Sequence, residues 1–248
     1  IFKTSWAIGA MLAAIFSSIS LWLDIDPSLH FLIFGVIAIL GIIFIFIYGL
    51  KKEYDSINDS PSLSLPTLNT FLFGSINMVQ MAIMGIITLW SSVWLLEDLN
   101  SSLFLAGSIV FFFNLGSILS NFIAPRLIKL TNELIVGPYF SILGSIVLFF
   151  CTLTMNVYII YIGITVFGFL TSNIMPIIFR QSVKMSSKPI PTTISHITSL
   201  GQSGFVFGPA LVGYSAEVNG LTFNVYAFCI LFLLISILMA VLIKQKEW

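Results

Sequence analysis

Charge is what this sequence has least of. Of its 248 residues only 8% are Asp, Glu, Lys or Arg, ten basic and ten acidic. A soluble domain has about a quarter. So few charges cannot cover a water-soluble surface of this size, which excludes a soluble globular protein and predicts an all-α integral membrane protein. The formal net charge is zero, and no basic cluster invites a nucleic acid. Cysteine is scarce too. Cys151 and Cys229 both sit in apolar runs, where they read as buried small hydrophobes rather than a disulfide or a metal site. With two histidines in all, no H-E-x-x-H arrangement exists, and the apolar runs contain no carboxylate pair for intramembrane catalysis. A channel would show a filter loop or a ring of charges, and neither is visible. No enzyme, cofactor or metal is expected.

What the chain has is hydrophobic length. It is 58% hydrophobic, with a mean hydropathy of +1.08. Runs of about twenty apolar residues predict eight membrane-spanning helices. They cover residues 4–23, 30–50, 68–95, 103–124, 134–153, 157–179, 192–214 and 221–243. The first follows Lys3, but its length and the lack of a small-residue cleavage site argue for a span rather than a signal peptide. The third is long enough to be tilted or broken. Between the second and third lies "KKEYDSINDSPSLSLPT", residues 51–67. It is polar and Ser-rich, has two prolines, and reads as a linker between two bundles.

The charges give a direction. Alternate loops carry Lys3; Lys51 and Lys52; Arg126 and Lys129; Arg180, Lys184 and Lys188; and Lys244 and Lys246, which is every basic residue. The opposite loops carry Asp24, Asp26, Glu97, Asp98 and Glu217. The positive-inside rule then places both ends of this chain and the linker in the cytoplasm.

Mid-span amides are unevenly spread. Asn77 and Gln80 lie in the third span, Asn114 and Asn121 in the fourth, Asn173 in the sixth and Gln202 in the seventh. The second, fifth and eighth spans have almost no polar centre. Polar groups in hydrocarbon must face a bundle interior or water, while fully apolar helices can face lipid. This predicts triplets in which two helices line something and the third lies outside, as in repeat-built secondary transporters.

Several stretches carry a resemblance. They are "IGAMLAAIFSSISLWLDIDPSLHFLI", "WSSVWLLEDLNSSLFLAG" and "GITVFGFLTSNIMPIIFRQSV" followed by "TSLGQSGFVFGPALVGYSAEVNGL". With the spans and linker, they resemble the major facilitator superfamily, in which twelve helices form two six-helix halves. The likeness is to a bacterial branch of inner-membrane transporters distantly related to fucose-permease-like symporters. It implies that the eight spans are helices five to twelve. Residues 1–50 are then the last two helices of the first bundle, 51–67 the cytoplasmic linker and 68–248 the second bundle. The chain is then a fragment lacking the first four helices. The implied function is secondary-active transport of a small organic solute, sugar-like or drug-like, by alternating access in the cell membrane. A receptor or sensor that kept the transporter fold is the alternative. One departure concerns the family's loop signature. Here it reads "NFIAPRLIKLTNE", with Pro125 in place of the acid and Asn132 in place of a glycine, which puts that loop's ion-pair latch in doubt.

Helical periodicity groups Asn77, Gln80, Met84 and Thr88 on one face of the third span, and Phe111 with Asn114 on the fourth. With Asn173 and Gln202 they are the candidates for a solute cavity; helix-to-helix glue is the competing reading of each amide. No acid sits mid-span for a proton relay. Protons remain a candidate coupling ion, alongside a facilitator, coupling outside this chain, or a charged substrate. His196 is the one titratable candidate, near the start of the seventh span. In that span Gly201, Gly204 and Gly208 share a smooth stripe and Pro209 follows, predicting close packing and a kink at a sliding or gating helix. The bilayer and the solute are the expected partners.

Overall fold

The computed structural model describes residues 2–48 and 64–244. Residues 51–63 of the expected linker, with Lys51, Lys52 and Lys246, lie outside them. The described residues form helices α1 (Phe2–Trp22), α2 (Pro27–Tyr48), α3 (Leu68–Glu97) and α4 (Leu103–Leu130). A π-helical turn (Ile135–Tyr139) leads into α5 (Phe140–Leu153). Then come α6 (Val157–Thr171), α7 (Ile174–Met185), α8 (Ile190–Asn219) and α9 (Leu221–Lys244). A helix satisfies its own backbone groups, which is what a chain this apolar needs in hydrocarbon.

The helix starts are set by polar caps. Thr67, Ser102 and Asn156 accept hydrogen bonds from the first-turn amides of α3, α4 and α6, satisfying donors that have no partner inside the helix. Asn132 Oδ1 does the same for Ile135 N at 2.9 Å. Gly220 ends α8 with φ at +79°, a conformation that side chains disfavour.

Among the described residues six helices are long and apolar enough to cross a membrane. They are α2, α3, α4, the π turn with α5, α6 together with α7, and α9. In α1 the apolar stretch is shorter, Ile8–Trp22. The glycine-, serine- and threonine-rich α8 is long but not apolar enough to join them. Two details differ from the sequence reading. The third span is one continuous helix, α3. The sixth is interrupted at Ser172 and Asn173. Pro176 explains the break: it has no N–H for the Ser172 carbonyl, and its ring crowds a continuous helix there.

Two contacts organise the α3–α9 bundle. α3 runs parallel to α8, and α4 runs parallel to α6. Exchanging the triplet α3, α4, α5 with α6, α8, α9 turns one of these contacts into the other. The same exchange carries α5 against α6 onto α9 against α3, both of which are present. α1 packs along α4, with Ser18 at Gly107. α2 carries exposed large apolar side chains from Leu29 to Ile47. The other two apolar spans differ from α2: α5 and α9 are no less buried than α3 and α4, because they pack on each other as well as on α6 and α3.

The ends of the bundle differ in charge. At one, Arg180 meets Glu133 at 2.9 Å, Lys184 lies 3.9 Å from the same carboxylate, and Gln181 Nε2 donates to it at 2.6 Å. Asn69 donates to the Met185 carbonyl nearby. At the other end Thr222 N donates to Asp98 at 2.9 Å, and the indole of Trp94 donates to Thr222 Oγ1. In the α1–α2 loop, hydrogen bonds from the Ser28 hydroxyl and amide hold the Asp26 carboxyl below its ordinary range.

Candidate functional site: two glycine seams and the amides around them

The stripe on α8 lies against α3 at backbone distance. A Cβ on Gly204 would stand 1.9 Å from the Met78 carbonyl oxygen, and one on Gly208 2.6 Å from the Ala82 Cβ. On Gly201 it would strike Asn77 Nδ2 at 2.2 Å. α3 answers with its own glycines, Gly74 under Leu200 and Gly85 under Pro209. Small residues permit this approach, and dispersion over the whole seam holds it in the absence of a hydrophobic drive. Helix α8 continues through Pro209. The Phe205 carbonyl, which Pro209 cannot bond, faces Gly85, and the indole of Trp90 donates to the Pro209 carbonyl at 2.9 Å.

The contact between α4 and α6 is built the same way, and the sequence reading missed it. A Cβ on Gly116 would stand 1.9 Å from the Thr165 carbonyl oxygen, and one on Gly168 2.2 Å from that of Phe113. Each helix offers a glycine to the other's backbone. The signal available was a glycine near the middle of both spans, with Ser117 and Ser120 after Gly116. Around the break before α7, Asn173 Nδ2 donates to Ser120 Oγ at 2.6 Å, and Ser172 Oγ lies 3.1 Å from Asn121 Oδ1. These polar groups tie the broken helix to α4.

The eight cavity candidates do not form one surface. Asn77 is buried and donates to the Ile197 carbonyl of α8 at 3.1 Å. Asn114 is buried and donates to Val110 of its own helix at 2.8 Å. Both partners are backbone carbonyls, which only accept, so each amide's nitrogen is fixed and its oxygen points elsewhere. Those oxygens, and the Gln80 Oε1, are buried without a hydrogen-bond partner. Gln80 lies at helical spacing from Ile76, Ile83 and Ile87, the buried strip α3 turns to its own bundle. Asn173 is buried at the helix break. Met84 is half-buried against the core, and Phe111 is half-buried with its edge on Phe112. Thr88 and Gln202 are exposed. The wheel sector drawn on α3 therefore straddles two surroundings, because α8 and the bundle interior cover different arcs of it. His196 is half-buried beside a groove with Leu65, Phe71 and Leu200, and its Nδ1 has no partner. Among the described residues no group of three or more His, Cys, Asp or Glu could hold a metal ion.

No family model matches the chain. Over 239 residues, 95% of this chain, it is 24% identical to an uncharacterised MFS-type transporter of Yersinia pestis. The chain spans about 61% of the length of that relative. Together with six helices among the described residues apolar enough to cross a membrane, this similarity supports a multi-pass membrane protein.

Proposed function

We propose that the chain is part of a major facilitator superfamily transporter and moves a small organic solute by alternating access. Its eight rods then correspond to helices five to twelve. Residues 1–50 close a first bundle, 51–67 link the bundles in the cytoplasm, and 68–248 form the second. Both ends of the chain face the cytoplasm, and the protein resides in the cell membrane.

One observation carries this reading beyond the similarity itself. The exchange of α3, α4, α5 with α6, α8, α9 converts the glycine seam of α3 and α8 into that of α6 and α4. Such internal repetition is the building principle of secondary transporters, whose substrate sites lie at repeat interfaces. Glycine seams of this kind let one helix shift against another, because few side chains stand between the two backbones. In this account α8 rocks on α3 along Gly201, Gly204 and Gly208, and Pro209 provides the local weak point in its ladder.

The exposed Gln202 is the strongest solute-facing candidate on α8, with Thr88 on α3. Asn77, Gln80, Asn114 and Asn173 come into contact with solute only when the seams move. Solute uptake or efflux by the full-length protein in sealed vesicles tests the proposal. Transport of one or more solutes from a broad panel, lost with Gly204→Leu, supports it. A folded protein that moves none of them refutes it.

A further inference from the structure

The interior of the α3–α9 bundle holds a cavity of about 60 Å³, in a measure by which one water needs roughly 10–15 Å³. That is room for a small apolar guest. Ile83, Ile87 and Trp90 of α3, Ile164 of α6, and Phe228 and Cys229 of α9 are among its walls. None of the eight cavity candidates is a lining residue, so this space is separate from the proposed solute path. The polar groups in its wall are committed elsewhere. Ser91 Oγ donates to the Ile87 carbonyl, Thr152 Oγ1 to that of Phe149 and Asn224 Nδ2 to that of Gly220. The indoles of Trp90 and Trp94 are held by Pro209 and Thr222. A polar guest would find little to replace its water, whereas an apolar cavity stays dry and accepts apolar guests.

A second hollow lies outside, between α5 and α9, walled by Phe149, Phe150, Ile230 and Leu233. Phe150 and Ile230 are exposed on that side, the surface a bilayer would cover. Cys229 borders both spaces. It is buried, and it is small for a side chain standing between a membrane-facing groove and an internal cavity.

We propose that the bundle interior is a binding site for small apolar molecules dissolved in the bilayer, which enter between α5 and α9 past Cys229. Occupancy fills the space between α3, α6 and α9, and so bears on how freely α3 moves.

The test uses the full chain in dodecyl maltoside with Cys151→Ser, leaving Cys229 as its one cysteine. The rate of Cys229 methylthiolation by methyl methanethiosulfonate is measured with and without benzene. Benzene at about four times its dissociation constant leaves about a fifth of the sites free, so a fivefold slowing is expected. The charged trimethylammonium analogue of the reagent reacts far more slowly. Ile164→Phe, which fills the cavity, removes the benzene effect; Ile87→Phe replaces it if that variant does not elute as a single species. Leu234→Cys, exposed on α9, in a Cys151→Ser, Cys229→Ser background, controls for reagent diluted into micelles. An unchanged rate at Cys229, or an equal slowing at Leu234→Cys or in the filled variant, overturns the proposal.

Discussion

Gly204 of α8 and Met78 of α3 meet with no room for one carbon atom between them: a Cβ on the glycine would stand 1.9 Å from the methionine's carbonyl oxygen. Neither neighbour can yield cheaply, since the obstacle is backbone rather than a flexible side-chain end. Gly204→Leu must therefore push α8 off α3. Overpacking typically costs about 1–3 kcal/mol, and the rigid obstacle puts this variant at the upper end. The thermal midpoint in detergent should fall by several degrees. Gly9→Ala, where nothing lies within 4 Å, should not lower it.

The second seam makes an independent prediction. Gly116→Ala and Gly168→Ala each drive a methyl group into a backbone carbonyl of the facing helix. Each should cost about 2 kcal/mol or more by the same overpacking argument. If the two seams are related by the triplet exchange, these alanines should impair transport as Gly204→Leu does. Stability and transport measured side by side decide this; alanines tolerated at both positions would mean that the seam of α4 and α6 is looser than described.

Glu133, just after α4, joins Arg180 and Gln181 of α7. The carboxylate ties the turn after α4 to the end of the broken sixth span. Its worth is modest, because Arg180 is about half exposed and such pairs contribute about 0–1 kcal/mol. Glu133→Gln should lower stability by no more than about that, with the effect shrinking as salt rises. A loss of several kcal/mol in a chemical-denaturation series would show that the cluster does more than pair charges.

Asn77 and Gln202 separate two roles that the sequence could not. Asn77→Leu removes a buried amide that bridges α3 and α8 and crowds Gly201, so stability should fall together with transport. Gln202→Leu removes an exposed side chain. It should leave the thermal midpoint within about a degree while changing the apparent affinity for solute, since surface substitutions typically stay within about 0.5 kcal/mol. Equal stability losses in both variants would place Gln202 in packing instead.

Most helix ends were legible, because polar caps such as Thr67, Ser102 and Asn156 stand next to long apolar runs. The glycine stripe on α8 was legible as a smooth face, but not its partner: glycine has no side chain to specify what lies against it. Gly116 and Gly168 escaped for the same reason, since one glycine per helix makes no stripe and only their meeting makes a seam. The break before α7 was written in Pro176, yet the apolar run crosses it without interruption. For the amides, periodicity tells which side of a helix a residue occupies and not what covers that side. Asn77, Asn114 and Asn173 each found a partner in a helix or turn. The pairing of Glu133 with Arg180 was not legible, because the two residues stand in different connections and only the packing of α7 near the start of the fifth span brings them together.

The account stands most directly on alternating access along the α3–α8 seam. The decisive measurement is a cysteine pair, Met78→Cys with Phe205→Cys, introduced into the full-length protein after Cys151→Ser and Cys229→Ser and assayed for solute flux in sealed vesicles. Cross-linking α3 to α8 with a short bifunctional reagent should stop transport, and cleaving the cross-link should restore it. Full transport by the cross-linked protein would contradict the account, since a seam that is locked and still passes solute is not the element that moves.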